Sequence, residues 1–441
     1  MSSIVTTAYL ADILRDARSR TLELLHGLDA QQLIGPRLAT VNPMLWEIGH
    51  VAWFYEYFIL RRLYGHKPIL ANGDALYDSI RVAHDTRWDL PLLSLEATLD
   101  YMGRVHEALI GRLQGTLADE TESFIYRFAT FHEDMHDEAF LWTRQTLAYP
   151  RPALGSAAQG PPTDAAAGGL SGDAEVPGGT FWLGSPPNAP FLFDNEKWAH
   201  PVTLAAFRIA RAPVTNAQFL AFVADAGYRR QEFWDEAGWH WRLGAGAEHP
   251  VYWRRDAGDD WRLRRFEAWS ALAPDQPVVH VNWYEANAYC RWAGRRLPTE
   301  AEWEAAALGE PAANGGELAA RKRLYPWGDR EPTEAQAHLD GRALGCIDVA
   351  ALLAGDSAFG CRQMLGNVWE WTRDTFAPYP GFAPDAYREY SQPLFGHTKV
   401  LRGGAWTSRS RMVRGTYRNY FGPERRDVFA GFRTCALDDD G

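Results

Sequence analysis

The segment Phe131 to Trp142, FHEDMHDEAFLW, carries His132 and His136 at the i and i+4 spacing that stacks two side chains on one face of a helix. At about 6 Å between Cβ atoms, two imidazoles so placed suit neighbouring positions on a single metal ion. His50, in LWEIGHVAWFYEYFILRRL, is the candidate third ligand, because its segment is apolar on several faces and turns a histidine toward a bundle interior. Three neutral imidazoles from the helices of one bundle can hold a divalent metal and leave positions open. Two plainer readings stand beside this one. Glu133, Asp134, Asp137 and Glu138 surround the pair, so the helix could present a solvated acidic face. A single histidine in an apolar segment is often a satisfied core residue.

The elements that must position these residues follow from periodicity. Residues 6–27 carry Leu10, Ile13, Leu14, Ala17, Leu22, Leu24 and Leu25 at roughly helical spacing, which predicts an opening amphipathic helix. A second helix is expected over 43–64, with Pro43 in its first turn and Asn42 as its cap. A third runs from its cap Ser94 to Leu113, and the fourth, with the histidine pair, from about Thr121 to Leu147. With a loop over Asp78 to Asp89, these form an all-α four-helix bundle within residues 1–150. Residues 151–175, rich in Ala, Gly, Pro and Ser, read as a flexible linker. In the second domain, 176–441, VPGGTFWLG reads as a strand with a Pro-Gly-Gly turn and Asn216 to Ala226 as a helix. Another helix carries Trp283, Ala286, Cys290 and Trp292 on or near one face, ends at Leu297-Pro298, and gives way to one capped by Thr299 with Glu302.

Composition bounds the function. A chain of 441 residues with 46% hydrophobic content can bury two cores of ordinary size. A net charge of −11 argues against nucleic acid or an anionic membrane as partner. No run of about 18 apolar residues occurs, and the first residues lack a signal peptide's apolar core, so a cytoplasmic protein is expected. Cys290, Cys346, Cys361 and Cys435 are too scattered for a disulfide framework and form no CxxC knuckle, so reduced, buried thiols are expected. The 19 Trp lie mostly after residue 180, beside Gly and Pro, as in folds that fill their cores from irregular loops.

The motifs GGTFWLG (178–184), PVTNAQF (213–219), RLPTEAEWE (296–304), YPWGD (325–329), GNVWEW (366–371), LRGGAW (401–406) and GFR (431–433) resemble the formylglycine-generating-enzyme, or sulfatase-modifying-factor, family over about 176–435. That resemblance implies a C-type-lectin-like α+β domain. The family's copper oxidases use a pair of cysteines near the C-terminus, where this chain has Cys435 alone, so oxidase chemistry of that type is not expected. The first part resembles the DinB-like metalloproteins, and the fusion of the two is similar to the ergothioneine-pathway sulfoxide synthases. Those are iron(II) enzymes that use O2 to join a sulfur donor to C2 of the imidazole of hercynine, the trimethylammonium betaine of histidine. Gly49-His50-Val51-Ala52-Trp53-Phe54 and His132/His136 match their three-histidine iron motifs, which implies Fe(II) on His50, His132 and His136.

The resemblance also implies substrate residues. Met135 stands where relatives carry a Gln that helps hold the substrate imidazole. Arg418-Asn419 is followed by Tyr420-Phe421, where some relatives using a γ-glutamylcysteine donor have Trp-Asp. The loss of that carboxylate leans the expectation toward selenoneine synthase, which shares the architecture and takes selenium from a selenosugar. Tyr420, Phe421 and Trp371 are candidate aromatic partners for the trimethylammonium, and Asn419 a candidate partner for the imidazole. Tyr379, in APYPGF, is the candidate proton donor, and Arg87 or Arg81 the partner of an anionic substrate group. Glu370, Gln363 and the carbonyls of Gly366 and Val368 resemble a calcium-binding stretch. A zinc-dependent thiol transferase and a noncatalytic binding module are the other classes in view.

Overall fold

The computed structural model describes residues 4–162, 164–258 and 260–437, so the last residues of the expected second domain, 438–441, lie outside it. The chain divides into two compact units, Met1–Gly155 with Asn188–Phe191, and Ser156–Pro187 with Leu192–Gly441.

The first unit is helical: α1 Thr7–Leu25, α2 Ala30–Ile34, α3 Met44–Tyr55, α4 Gly73–Tyr77, α5 Leu95–Arg112 and α6 Glu120–Thr146. The four long helices are those that the periodicity predicts. Thr6 caps α1, Ser94 caps α5, and Asp119 and Glu122 form a reciprocal capping box on α6. Every residue of α3 is buried, so this helix is the centre of the unit. It ends in a π-helical turn, Glu56–Arg61, rather than running on as one α-helix to residue 64. There Glu56 accepts from the Tyr101 hydroxyl of α5 and from the Ile69 amide at 2.7 Å. Asn42 does not cap α3; the capping position is Pro43, without a side-chain bond, and Asn42 donates to Glu47 instead. Buried Arg144 of α6 donates to the carbonyls of Leu24 and His26 at 2.8 and 2.9 Å, satisfying the end of α1. Phe191 packs on Phe124 and Phe131, and Arg127 donates to the Pro190 carbonyl at 2.7 Å, which is why this short segment belongs to the helical unit.

The expected linker is folded. Asp173–Val176 is a strand paired antiparallel with Phe207–Ala210, the Leu352 amide donates to Asp164, and the Asp348 amide donates to the Ala165 carbonyl. Its lack of bulky side chains does not stop it from packing, because its backbone and the carboxylates of Asp164 and Asp173 supply the contacts.

The second unit mixes short strands with α7 Asn216–Ala224, α8 Glu236–Ala245, α9 Trp283–Trp292 and α10 Glu300–Leu308. One sheet runs 418–421, 399–402, 369–375, 430–431, and another 173–176, 207–210, 435–436, 295–296. The motif residues meet in a buried ionic core. Glu300 of α10 accepts from Arg402 at 2.8 Å and Arg418 at 2.7 Å. Glu304 accepts from Arg402 and Lys322, each at 2.6 Å. Burial alone would push the Glu304 carboxyl up, but Lys322 and Arg402 outweigh it and hold the pKa below the ordinary value. Glu370 accepts from both arms of Arg433 at 2.6 and 2.7 Å and from the Trp303 indole at 2.8 Å.

The calcium expectation does not fit this arrangement. Both oxygens of Glu370 are committed to Arg433, and Gln363 turns its amide nitrogen to the Asp348 and Ala351 carbonyls and its oxygen to Asn367. A cation there would face a guanidinium already neutralising the one carboxylate. All four cysteines are free and buried, as expected.

The Arg433–Glu370 pair is fully buried, so breaking it leaves one charge without its partner. Arg433→Met is expected to cost about 3–5 kcal/mol in denaturant unfolding, and Arg433→Met with Glu370→Leu much less than twice that.

Candidate metal centre

His50 is oriented by a contact between α3 and the short helix α4. Trp46, His50 and Trp53 lie along one face of α3 and turn their ring N–H groups to α4. The Trp46 indole donates to the Leu76 carbonyl and the Trp53 indole to Asp74, both at 2.7 Å, while His50 Nδ1 lies 2.8 Å from the Tyr77 carbonyl. The carbonyls of Leu76 and Tyr77 are the unsatisfied end of α4, so rings from α3 complete that helix. A carbonyl only accepts, hence Nδ1 carries the proton and Nε2 is the free ligand atom. Gly49 makes the approach feasible: a Cβ there would sit 2.1 Å from the Tyr77 ring.

His132 and His136 come from adjacent turns of α6. The ligand atoms of His50, His132 and His136 all lie within 4.8 Å of one another. The ring centroids are 5.1 Å apart for His50–His132, 5.0 Å for His50–His136 and 4.6 Å for His132–His136. Phe54 stacks on His132 at 3.7 Å and Trp46 on His50 at 4.9 Å, so apolar rings line the back of the cluster. Burial, then neighbouring His136, pushes His50 and His132 well below the ordinary histidine range; both are therefore neutral, as metal ligands must be. The donor set fits a divalent transition metal with open positions, and imidazole suits iron, zinc, copper or nickel.

The acidic residues around the pair are not a wet surface. Glu133, Asp134, Asp137 and Glu138 are all buried. The Thr21 hydroxyl of α1 lies 2.7 Å from Glu133 and 3.0 Å from Asp137, and the Tyr55 hydroxyl donates to Glu133 at 2.8 Å. Glu133 and Asp137 thus tie α6 to α1, and Glu133 ties it to α3 through Tyr55.

Among the other expected residues, Arg87 lies beside the cluster, stacked 3.9 Å over Trp46 and donating to Asn42 at 2.6 Å. Arg81 is exposed and paired with Asp78. Met135 is half-buried, one residue before His136. In the second unit, Tyr379 is buried, donates to Glu300 at 3.2 Å and lies under the Arg418 guanidinium at 4.1 Å. Asn419, Tyr420 and Phe421 are half-buried on one strand, with Tyr420 on the face opposite Asn419 and Phe421. Tyr420 stacks on Phe376 at 4.0 Å and donates to the Tyr390 carbonyl, while Phe421 lies under Arg425 at 5.1 Å. Asn419 accepts from the Tyr420 amide at 2.8 Å. Trp371 is fully buried and donates to the Val281 carbonyl, so it is a core residue and not a cation-binding face.

Sequence reasoning missed Glu47 and Tyr77. Glu47, one turn before His50, places its carboxylate 3.4 Å from His136 Nδ1. An acid at i−3 from a candidate ligand was the available signal. Tyr77 acts through its backbone, which no side-chain pattern reports.

His50→Ala, His132→Ala and His136→Ala are each expected to lose bound metal, by more than the roughly 10–100-fold that loss of an outer partner costs, while keeping their helical circular dichroism. Metal content after gel filtration checks this; retention in His50→Ala would require another ligand, such as Glu133 or Glu138.

Comparison with known proteins agrees with the two-unit division. Residues 13–140 match the DinB superfamily and residues 162–437 the sulfatase-modifying factor enzyme 1-like domain. The chain is 41% identical over 434 residues to the hercynine oxygenase of Mycolicibacterium thermoresistibile, covering 97% of this chain and 94% of that protein. It is 39% identical over 428 residues to the hercynine oxygenase of Mycobacterium tuberculosis, covering 96% and 97%. The formylglycine-generating enzyme of Streptomyces coelicolor is 35% identical over 316 residues, 67% of this chain and 97% of that protein. Among solved structures, PvdO from Pseudomonas aeruginosa aligns over 61% of this chain and 98% of its own at 22% identity, with a TM-score of 0.41. With similarity of this extent running through both units, the chain belongs to the hercynine oxygenase family.

Proposed function

We propose that this chain is a non-haem Fe(II) enzyme that uses O2 to form a carbon–chalcogen bond at C2 of the hercynine imidazole. The observation that carries the reading is the cluster of three imidazoles with ligand atoms within 4.8 Å, in a chain 41% identical to a hercynine oxygenase over 97% of its length. Iron, when bound, supplies the electron transfer that O2 requires, at positions the three imidazoles leave open. The protein's own residues do the rest. His50 is held in one tautomer by Tyr77, and the rings of Trp46 and Phe54 keep water from the back of the cluster. Tyr379 is the proposed proton donor. Burial first, then Glu300, raises its pKa well above the ordinary tyrosine value, although Arg418 opposes this, so the hydroxyl keeps its proton through the neutral range.

The donor is proposed to be a selenosugar, which makes the chain a selenoneine synthase. Met135 brings no hydrogen-bonding group beside His136, and Phe421 brings no carboxylate for the ammonium of a peptide-like donor. Arg87 remains the proposed partner of an anionic substrate group. The second reading, a sulfoxide synthase using cysteine or γ-glutamylcysteine, is favoured by the extent of identity to the hercynine oxygenases. A zinc-dependent thiol transferase would bind zinc and take up no O2.

Anaerobic reconstitution with Fe(II), followed by O2, hercynine and competing donors, tests the reading by mass spectrometry. The expected order is selenosugar, then cysteine, then γ-glutamylcysteine; a clear preference for γ-glutamylcysteine would sink the selenium branch. Phe421→Asp is expected to shift the order toward amine-bearing donors by about 1–3 kcal/mol, the worth of one charge-assisted hydrogen bond. Tyr379→Phe is expected to slow turnover with iron content unchanged.

A further inference from the structure

We infer that Glu47 is a positioning residue, which holds His136 in its metal-binding orientation and whose charge complements the metal's. The inference rests on the metal reading above. Glu47 lies in the first turn of α3 and is 2% exposed. A carboxylate buried to that extent is costly unless its charge is met. No Lys or Arg lies within ion-pair distance of it among the described residues; the group that faces it is His136 Nδ1, 3.4 Å from Oε1. Glu47 Oε2 and His136 Nδ1 are both buried without a hydrogen-bond partner. A carboxylate with one oxygen unsatisfied thus faces, through the oxygen that Asn42 also engages, an unsatisfied ring nitrogen across the gap between α3 and α6.

A cation on Nε2 of His136 resolves this mismatch. It draws density from the ring, strengthens Nδ1–H as a donor, and gives the buried carboxylate a positive partner. Glu47 is itself held in place. Asn42 donates to Oε1 at 2.9 Å, and the other end of the Asn42 amide accepts from Arg87 at 2.6 Å. The same guanidinium lies 3.9 Å over Trp46, whose ring is stacked, at 8° from parallel, on His50. One arginine therefore braces two of the three ligands, His50 through an indole and His136 through an amide and a carboxylate.

The full-length metal-free protein, as wild type, Glu47→Gln, Glu47→Ala and Asn42→Ala, is titrated with Co(II) followed by its visible absorption, and with Fe(II) against a competing chelator. Glu47→Gln keeps the shape and the acceptor for Asn42 but removes the charge. It is expected to bind both metals roughly 10–100-fold more weakly, with a shifted Co(II) absorption band and no loss of metal-free thermal stability. Glu47→Ala is expected to bind more weakly still, and Asn42→Ala to fall between wild type and Glu47→Gln. A Glu47→Gln protein with wild-type affinity and an unshifted Co(II) spectrum would overturn the inference while leaving the metal reading intact. A wild type that binds neither metal would overturn the metal reading and this inference together.

Discussion

The hydrogen bond between His50 and the Tyr77 carbonyl is the contact on which the helical unit's chemistry depends. It joins two requirements in one interaction. The end of α4 must have its carbonyls satisfied, and the imidazole must be held in the tautomer that leaves Nε2 for a metal. The bond works together with those of Trp46 to the Leu76 carbonyl and Trp53 to Asp74, and Gly49 leaves the room beside Tyr77 that this approach of α4 to α3 needs. The histidine cluster is therefore a product of backbone satisfaction as much as of side-chain choice.

Burial sets the electrostatics around it. Desolvation keeps His50 and His132 neutral, the state in which an imidazole can take a metal. It has the opposite sense for the carboxylates of α6, whose charge must be met. Hydroxyls of Thr21 and Tyr55 serve Glu133, the residue next to His132. An acidic helix can thus be buried on both sides, provided each side has its own kind of partner.

The second unit solves the same problem with ion pairs. Arg402, Arg418 and Arg433 are fully buried and each is matched to a glutamate of α10 or of the strand 369–375. Four of the motifs that mark this unit as a sulfatase-modifying-factor-type domain meet in this network: Glu300, Trp303 and Glu304 come from 296–304, Glu370 from 366–371, Arg402 from 401–406 and Arg433 from 431–433. Those motifs identify the fold because they hold it together. They carry no information about which substrate the family member takes, and that is why Glu370, a ligand candidate on paper, is a structural anion in the fold.

Much was legible in the sequence because it is local. The i, i+4 histidine pair, the long amphipathic helices and the caps at Ser94 and Thr299 depend on residues within a turn or two of one another. The third candidate ligand was legible as a histidine in an apolar helix, but that His50 meets His132 and His136 was decided by the packing of α3 on α6. Long-range partners decided the rest. The end of a low-complexity stretch became a strand because Phe207–Ala210 offered an edge to its backbone, and Asn42 is drawn from its expected cap to the buried carboxylate of Glu47. Tyr420 and Phe421, adjacent in sequence, were sent to opposite faces by the alternation of the strand. The sequence by itself determined which elements form and which side chains can bind a metal, because propensity, periodicity and ligand chemistry are properties of neighbouring residues. Only the tertiary structure decided which buried polar group answers which, because that pairing is set by desolvation across helices and strands distant in the chain.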